Sequence, residues 1–590
     1  MPEYLAPAVY VEETSFRSKS IAGVGTSTAA FVGLTARGPS TADDGGTKGV
    51  TPPLLTTSAD FESIYGGPDN LNLGAGPVPN YLAHAVRAFF DNGGSRLYVA
   101  RVLATGAAAA SASGGSINDH DAADPALTAD TTVNLVGRFK GGATLANTPN
   151  VNLRVTLSQA ELATTKANAA RMGPGTMVHE SGNFHVLGTS PFETSGTEAA
   201  WTALADTTPV TVVTLAVAIE EPGGAVLEFA NLGLHSSHPN YAGLVLGTKP
   251  PRTADRMTNP LQIVIGDDVH ALDLRRALFR TQTKRTIDLK GGKDGTSTPG
   301  IGSFTSALDR LLALEDISIV AAPGASGLGD PTFAAAVNAA LIGHAETRRA
   351  YRIAVLDTPP DLEPSDVRTL KGAIDSSHAA LYYPWVRTAN PLAATDKTQP
   401  SLISLPPSGF VCGIYARTDI ERGVWKAPAN ETITGALGLQ RDVRFGEQEV
   451  LNPLGINCLR FLPNRGFRVW GARTTSSDPE WIYVNVRRYF LYLEASIDAG
   501  TQWAVFEANG ERLWANVRAT VSDFLLNEWV SGALLGETPE QAFFVRCDRS
   551  TMTQNDLDNG RLICLVGVAA LKPAEFVIFR IGQKTADARN

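Results

Sequence analysis

The sequence predicts an α/β plus α+β chain of several domains: an α/β core, a C-terminal α+β domain, a mostly β insertion and an extended strand arm at each end. Three observations carry this prediction. From about residue 300 to 420, short apolar runs alternate with amphipathic stretches, the pattern of a sheet covered by helices on both faces. At Ala104 the texture changes to a low-complexity Ala/Ser/Gly stretch, ATGAAAASASGGSINDHDAADPA, followed by a segment rich in Thr, Ala and Val. At both ends lie strand-like runs with no local partner. A length of 590 residues agrees, because a single core seldom organises so long a chain.

Taken in order, residues 1–22 form an arm in which Ala8 to Glu13 (AVYVEE) alternates as a strand does. An isolated strand has unmet backbone donors and acceptors, so it must find a sheet in its own domain or in another molecule. Residues 23–103 open the body. They hold GVGTSTAAFVGLTARGP, then a helix over NYLAHAVRAFFDNGG with Leu82, Val86, Phe89 and Phe90 on one face, then the strand SRLYVARVL. Asn92-Gly93-Gly94 ends that helix. Residues 104–235 read as the β insertion, with alternating runs VNLRVTL and VTVVTLAVAI and one helix over SQAELATTKANAARM. Residues 236–420 carry the α/β alternation: DISIVAAPG, YRIAVLDTP and AALYYPWV as strands, DPTFAAAVNAALIGHAETRR and PSDVRTLKGAID as helices. PPSGFVCGIYARTD comes next as a helix with Pro407 in its first turn. Residues 421–573 form the α+β domain, with helices over 480–496 and 510–530. The second helix carries a stripe of Trp514, Val517, Val521, Phe524 and Leu525. Residues 574–590 close the chain with EFVIFRIG, a strand apolar on both faces.

Composition narrows the function. Hydrophobic residues make up 43% and charged residues 18%, a low charge fraction that suits a subunit burying much of its surface in an assembly. The net charge is −9, and 12 acidic against 5 basic side chains in residues 104–235 account for most of it. Nothing supplies the basic footprint of a nucleic-acid binder. Cys412, Cys458, Cys547 and Cys564 are far apart, form no CxxC pair and sit in apolar surroundings, so they read as small buried hydrophobes in a reducing compartment. The start MPEYLAPAVYVEE lacks a basic and an apolar region, and apolar runs fall short of a bilayer span. The chain is expected to be made and folded in cytoplasm.

Motifs for chemistry are poor. The loop APGASGLG at 322–329 follows a strand and precedes a helix, yet lacks the Lys-Ser/Thr of a P-loop and the GxGxxG spacing, so it reads as a structural turn. There is no GxSxG elbow. Asp119, His120, Asp121 and Asp124 lie in the low-complexity junction without rigid support, and HESGNFH (179–185) has the wrong spacing for a zincin helix. His235 and His238 read as loop histidines, and the charges of DIER (419–422) and RCDR (546–549) as ion pairs. No catalytic residue, cofactor site or metal site is expected.

Five stretches carry a resemblance: GTSTAAFVGLTARGP (25–39), TDIERGVWKAPANE (418–431), INCLRFLPNRGFRVWGART (456–474), SSDPEWIYVNVRRYFLYLEASI (476–497) and RLICLVGVAALKPAEFVIFRIGQ (561–583). These resemble the phage tail sheath family of contractile phage tails, tail-like bacteriocins and extracellular contractile injection systems. The likeness covers roughly residues 1–103 and 290–590, is loose over 236–289 and is absent over 104–235. It implies terminal arms that add strands to a sheet in neighbouring subunits, here Val9, Tyr10, Val11 and Glu12, with Phe576, Val577, Ile578, Phe579 and Ile581. It also implies a helical homo-oligomer around an inner tube protein, with baseplate and terminator or cap proteins as further partners, and no cofactor, nucleic acid or membrane insertion. The C-terminal domain would lie innermost, which makes Arg487, Arg488, Glu494, Arg512, Arg518, Asp523 and Glu528 candidate tube contacts. Phage and injection particle both stay open; the minor alternatives to a sheath are another polymerising structural subunit (baseplate, capsid or surface layer) and, behind it, an α/β enzyme with an unrecognised site.

Overall fold

The computed structural model describes residues 20–578 apart from 43–48, 75, 113–132, 146, 147, 149, 267, 268, 280, 281 and 297. The strand expected over Ala8 to Glu13 and the cluster Asp119 to Asp124 lie outside the described residues.

The body is one mixed sheet of nine strands. Their order is Leu54–Leu55, Arg96–Arg101, Thr28–Gly33, Ile319–Ala321, Ile353–Asp357, Ala379–Tyr383, Ile456–Leu462, Gly466–Val469 and Glu431–Thr432. The six strands from Arg96–Arg101 to Ile456–Leu462 run parallel, and the flanking ones are antiparallel. Side chains alternate between two buried layers as the strand period of two requires. Ala29 and Phe31 face the helices Tyr81–Asp91 and Ser408–Arg422, whereas Ala30 and Val32 face Ile301–Leu311 and Pro331–Ala345. The near-continuous apolar runs are thereby explained, since both faces are covered. Helices Tyr81–Asp91 and Ser408–Arg422 pack closely because Gly409 and Gly413 face the first of them. A Cβ on Gly413 would lie 2.4 Å from the Phe89 carbonyl oxygen.

A second sheet of ten antiparallel strands makes the insertion. Its order is Glu193–Thr194, Asn183–Val186, Met177–Glu180, Pro209–Glu220, Leu153–Thr165, Lys284–Lys290, Ala109–Ala112, Val133–Lys140 and Leu261–Ile265, with Val226–Leu232 also on Pro209–Glu220. Two expectations change here. SQAELATT is the second half of the strand Leu153–Thr165, paired residue for residue with Pro209–Glu220, and only Lys166–Ala170 is helical. Long-range pairing overrides the local helix preference of Gln, Ala, Glu and Leu. The module also does not end at 235. Leu261–Ile265 and Lys284–Lys290 are among its strands, and Ala271–Phe279 packs into its core. It hangs on two antiparallel linkers, joined by Ala108 N to Lys293 O and Lys293 N to Ala108 O at 3.0 Å each and by Thr296 N to Thr105 O at 2.8 Å.

The division at 420 moves as well, because Glu431–Thr432, Ile456–Leu462 and Gly466–Val469 belong to the body sheet. The remaining C-terminal part has its own core around two helices, Val484–Thr501 and Glu511–Val530, and a hairpin of Phe543–Arg546 with Leu565–Val568. Trp514, Val517, Val521, Phe524 and Leu525 are all buried there. The C-terminal segment after Leu571 runs without regular secondary structure through Ile578, so the described part of EFVIFRIG, residues 575–578, is not in a strand, and the rest of the run lies outside the described residues.

Candidate assembly surfaces

An open parallel sheet binds ligands outside the carboxyl ends of its strands, where the chain order reverses. Here that point lies between Thr28–Gly33 and Ile319–Ala321, because the chain passes first to Arg96–Arg101 on one side and later to Ile319–Ala321 on the other. The loop 322–329 arches over it and the space is full. Tyr81 and Trp385 meet edge to face at 5.4 Å. Gly324 adopts φ 82°, and a Cβ there would lie 2.2 Å from the Tyr81 Cβ. Trp385 Nε1 donates to the Thr358 carbonyl at 2.7 Å and Ser326 Oγ to the same oxygen at 2.9 Å. About 10 Å³ is left between Gly33, Tyr81, Leu82 and Gly324, room for roughly one water. No group of three or more His, Cys, Asp or Glu among the described residues is placed to hold a metal ion. Likewise, among the described residues no helix is long and apolar enough to cross a membrane.

Polar chemistry is concentrated instead where the terminal segments leave the fold. Glu575 accepts hydrogen bonds from Arg473 Nε at 2.9 Å, Asn452 Nδ2 at 2.6 Å and Tyr483 Oη at 3.3 Å. Partial burial pushes the Glu575 carboxyl up, and these donors outweigh it, so its pKa is lowered. Directly beyond this clamp, Phe576, Val577 and Ile578 are 72%, 69% and 78% exposed. Three consecutive large apolar residues in water forgo the gain that burial would bring. Phe579 and Ile581 lie outside the described residues, as do Val9, Tyr10, Val11 and Glu12. The root of the N-terminal arm is tied to the C-terminal domain. Ile21 is buried in that core, Val24 N donates to Ser496 Oγ at 3.1 Å, and the Thr26 carbonyl accepts from Arg488 Nη2 at 3.0 Å.

The hairpin Phe543–Arg546/Leu565–Val568 is a sheet of two strands only, with Phe543 opposite Val568 and Arg546 opposite Leu565. One face packs on helix Glu511–Val530, and the other leaves Phe544 and Leu565 half exposed. Among the described residues neither strand pairs with a third, so two rows of backbone groups stand ready for another strand.

The charged candidates on the two long helices separate into two groups. Arg488 is 4% exposed, and its guanidinium donates to both carboxylate oxygens of the buried Asp419 at 2.8 and 2.6 Å. It also lies over the Tyr415 ring at 4.8 Å. Arg487 is buried too, bonded to His378 Nε2 at 2.7 Å and stacked over Trp481. Glu528 accepts from Tyr492 Oη at 2.8 Å and Tyr489 Oη at 3.2 Å. Arg487 and Arg488, expected as candidate tube contacts, are therefore not available at the surface: the helix starts at Val484 and turns that face toward the body. Glu528 is half-buried and holds the two long helices together. Glu494, Arg512, Arg518 and Asp523 are exposed. Sequence reasoning missed the Glu575 clamp, whose parts are scattered over 452–575, and found Asp419 only as one charge of DIER.

These features define a class: a mixed α/β chain whose ligand crevice is filled by its own aromatics, with an apolar C-terminal segment and an open-edged hairpin at the surface. Residues 299–475 match the family model described as phage tail sheath protein central domain, and residues 476–584 the phage tail sheath C-terminal domain. Residues 299–584 therefore carry the central and C-terminal domains of the phage tail sheath family. It is 30% identical over 253 residues to a prophage major tail sheath protein of Pseudomonas aeruginosa, an alignment that covers 42% of this chain and spans 61% of that relative's length. Its fold is similar to the helical sheath of the anti-feeding prophage in the contracted state, with TM-score 0.53, 22% identity, and 98% and 100% of the two chains covered. A sheath tail protein from Listeria innocua is similar as well, with TM-score 0.51, 12% identity, and 94% and 96% covered.

Proposed function

We propose that this chain is the subunit of a contractile sheath, which polymerises helically around an inner tube in a metastable extended state and shortens to drive the tube through a target envelope. The observation that carries the reading is the pairing of a donor and an acceptor in one fold. The donor is the apolar segment beyond the Glu575 clamp, and the acceptor is the open-edged hairpin Phe543–Arg546/Leu565–Val568. A strand laid on that edge by a neighbour would satisfy backbone groups on both chains and bury Phe544, Leu565 and the arm's own side chains. The contact is heterologous, so it does not close on itself between two copies and propagates into a helical array. The work of contraction comes from packing set up during assembly. Its partners are further copies of itself, the tube protein, and baseplate and terminator or cap proteins. The particle is built in bacterial cytoplasm as part of a phage tail or an injection particle.

The test is electron microscopy of the full chain beside versions lacking residues 1–20 or 575–590. The full chain should form long tubular sheaths. The truncated chains should stay dispersed with unchanged circular dichroism, because the described body keeps its own cores. Normal tubes from both truncations, or flat lattices and closed shells from the full chain, would overturn the proposal.

A further inference from the structure

Cys547 and Cys564 flank the hairpin on the same side. They stand one position beyond the last paired residues, Arg546 and Leu565, of its antiparallel ladder. Each thiol is also among the groups that shift the other's pKa. Opposed positions of such a ladder have Cα atoms about 4.5–5.5 Å apart, inside the roughly 4.4–6.8 Å span a disulfide needs. Both thiols are free, with Cys547 buried and Cys564 half-buried. The other two cysteines differ. Cys412 and Cys458 are fully buried in the body, one in each layer packed on the sheet.

We infer that Cys547 and Cys564 are a dithiol built to close into a disulfide that staples the two strands of the hairpin when the protein meets an oxidant. The co-reactant is a low-molecular-weight disulfide, such as oxidised glutathione. The Cys564 Sγ, the more accessible sulfur, attacks it as thiolate and releases one thiol, giving a mixed disulfide. The Cys547 Sγ, already alongside, then attacks the Cys564 Sγ and releases the second thiol. Two protein thiols are oxidised by two electrons, one small disulfide is reduced to two thiols, and the two protons end on those thiols. Burial pushes the Cys564 thiol up to about 12, with the neighbouring Cys547 adding to the effect and Arg518 opposing it. The pair is therefore slow to react near neutrality, which keeps it reduced where the chain folds, and closes when exposure to an oxidising medium is prolonged. The loop it encloses, 548–563, includes the helix Gln554–Asp558, so the staple fixes the end of the hairpin that this loop joins. The thiol chemistry stands by itself. Only its consequence, a more rigid acceptor edge, rests on the sheath reading.

The experiment uses dispersed full-length chains treated with oxidised glutathione, followed by alkylation and peptide mass mapping. The expected result is a fall from four alkylatable thiols to two in denaturant, with a reducible Cys547–Cys564 cross-linked peptide and intact Cys412 and Cys458 thiols. The rate should rise about tenfold per pH unit from 7 to 9, since thiolate is the reactant. In Cys547→Ser the reaction should stop at a glutathione adduct on Cys564. A persistent adduct on Cys564 in the unaltered chain, cross-links between two chains in place of the internal one, or four surviving thiols would each overturn the inference. None of these readouts requires assembly, so a failure here is distinguishable from a failure of the sheath reading.

Discussion

Arg488 and Asp419 are the charges on which the joint between body and C-terminal domain depends. The pair links helix Val484–Thr501 to the end of helix Ser408–Arg422, and Arg488 also reaches the backbone of the incoming segment at Thr26. Burial works against the Arg488 cation, and Asp419 more than offsets it, raising its pKa. Removing one partner leaves a buried charge with no counterpart. Asp419→Ala should therefore cost about 3–5 kcal/mol in denaturant unfolding, whereas a double replacement by apolar residues of similar volume should recover much of that. A loss under 1 kcal/mol would mean that Arg488 finds another partner. Asp357 gives a pH signature. It sits at the end of strand Ile353–Asp357 and accepts from Ser408 N at 2.8 Å and Ser408 Oγ at 2.6 Å, and burial pushes it up to about 7 against those donors. Between its unfolded value of 3.8 and about 7 the native state holds the proton that the unfolded state has lost. Stability therefore falls as pH rises through that window, by an order-of-magnitude 4 kcal/mol in all. Asp357→Asn keeps the neutral form and should flatten this slope in melts from pH 4 to 8; an unchanged slope would show that Asp357 is ionised throughout.

Among the elements, the crossing of helices Tyr81–Asp91 and Ser408–Arg422 is the most demanding contact. Gly413→Ala sets a methyl against the Phe89 backbone, which cannot rotate away as a side chain could, and should destabilise the body by roughly 1–3 kcal/mol. Thermal melts against an exposed control, Gly446→Ala, check this. The insertion supplies a sharper test, because its limits in the chain are not its limits in space. Replacing 109–292 with a short Gly/Ser linker joins two backbones already hydrogen-bonded to each other, and the body sheet should fold and assemble. Deleting 104–235 alone strands Leu261–Ile265, Lys284–Lys290 and helix Ala271–Phe279 without the sheet that buries them, and should give aggregates. Soluble yield and electron micrographs of the two deletions decide between the spatial and the sequential boundary.

For the whole molecule, the sheath function proposed above requires a subunit that holds a tube and still lets it slide. A large apolar contact would resist sliding, while exposed charge pairs bind weakly and are screened by salt. Arg512 and Asp523 lie eleven residues apart on helix Glu511–Val530, three turns along one stripe, and both are exposed. Reversing both (Arg512→Glu with Asp523→Lys) should leave the melting temperature within a degree or two yet yield sheaths without tubes or sheaths that contract before any trigger. Normal filled particles would move the contact elsewhere on the C-terminal domain. Arg487 and Arg488 are unsuitable for this experiment, since their loss would damage the subunit itself.

The sequence by itself determined the parts that depend on local periodicity. The strands Arg96–Arg101, Ile319–Ala321, Ile353–Asp357 and Ala379–Tyr383 and the helices Tyr81–Asp91, Pro331–Ala345, Pro364–Gly372 and Ser408–Arg422 were legible because short, mostly apolar runs alternate there with helix-length segments. The Trp514 to Leu525 face was legible as one helical stripe. The five matching stretches made the family legible. Tertiary structure alone decided what depends on residues far apart in the chain. Lys284–Lys290 joins the insertion because its backbone groups find partners at 153–158, and Ser158 to Thr165 is strand because Pro209–Glu220 lies beside it. The clamp on Glu575, the Asp419–Arg488 pair and the opposed Cys547 and Cys564 all draw on the same physics. A buried charge, hydrogen bond or thiol acquires its meaning from whatever stands within about 3–4 Å, and sequence distance carries no information about that.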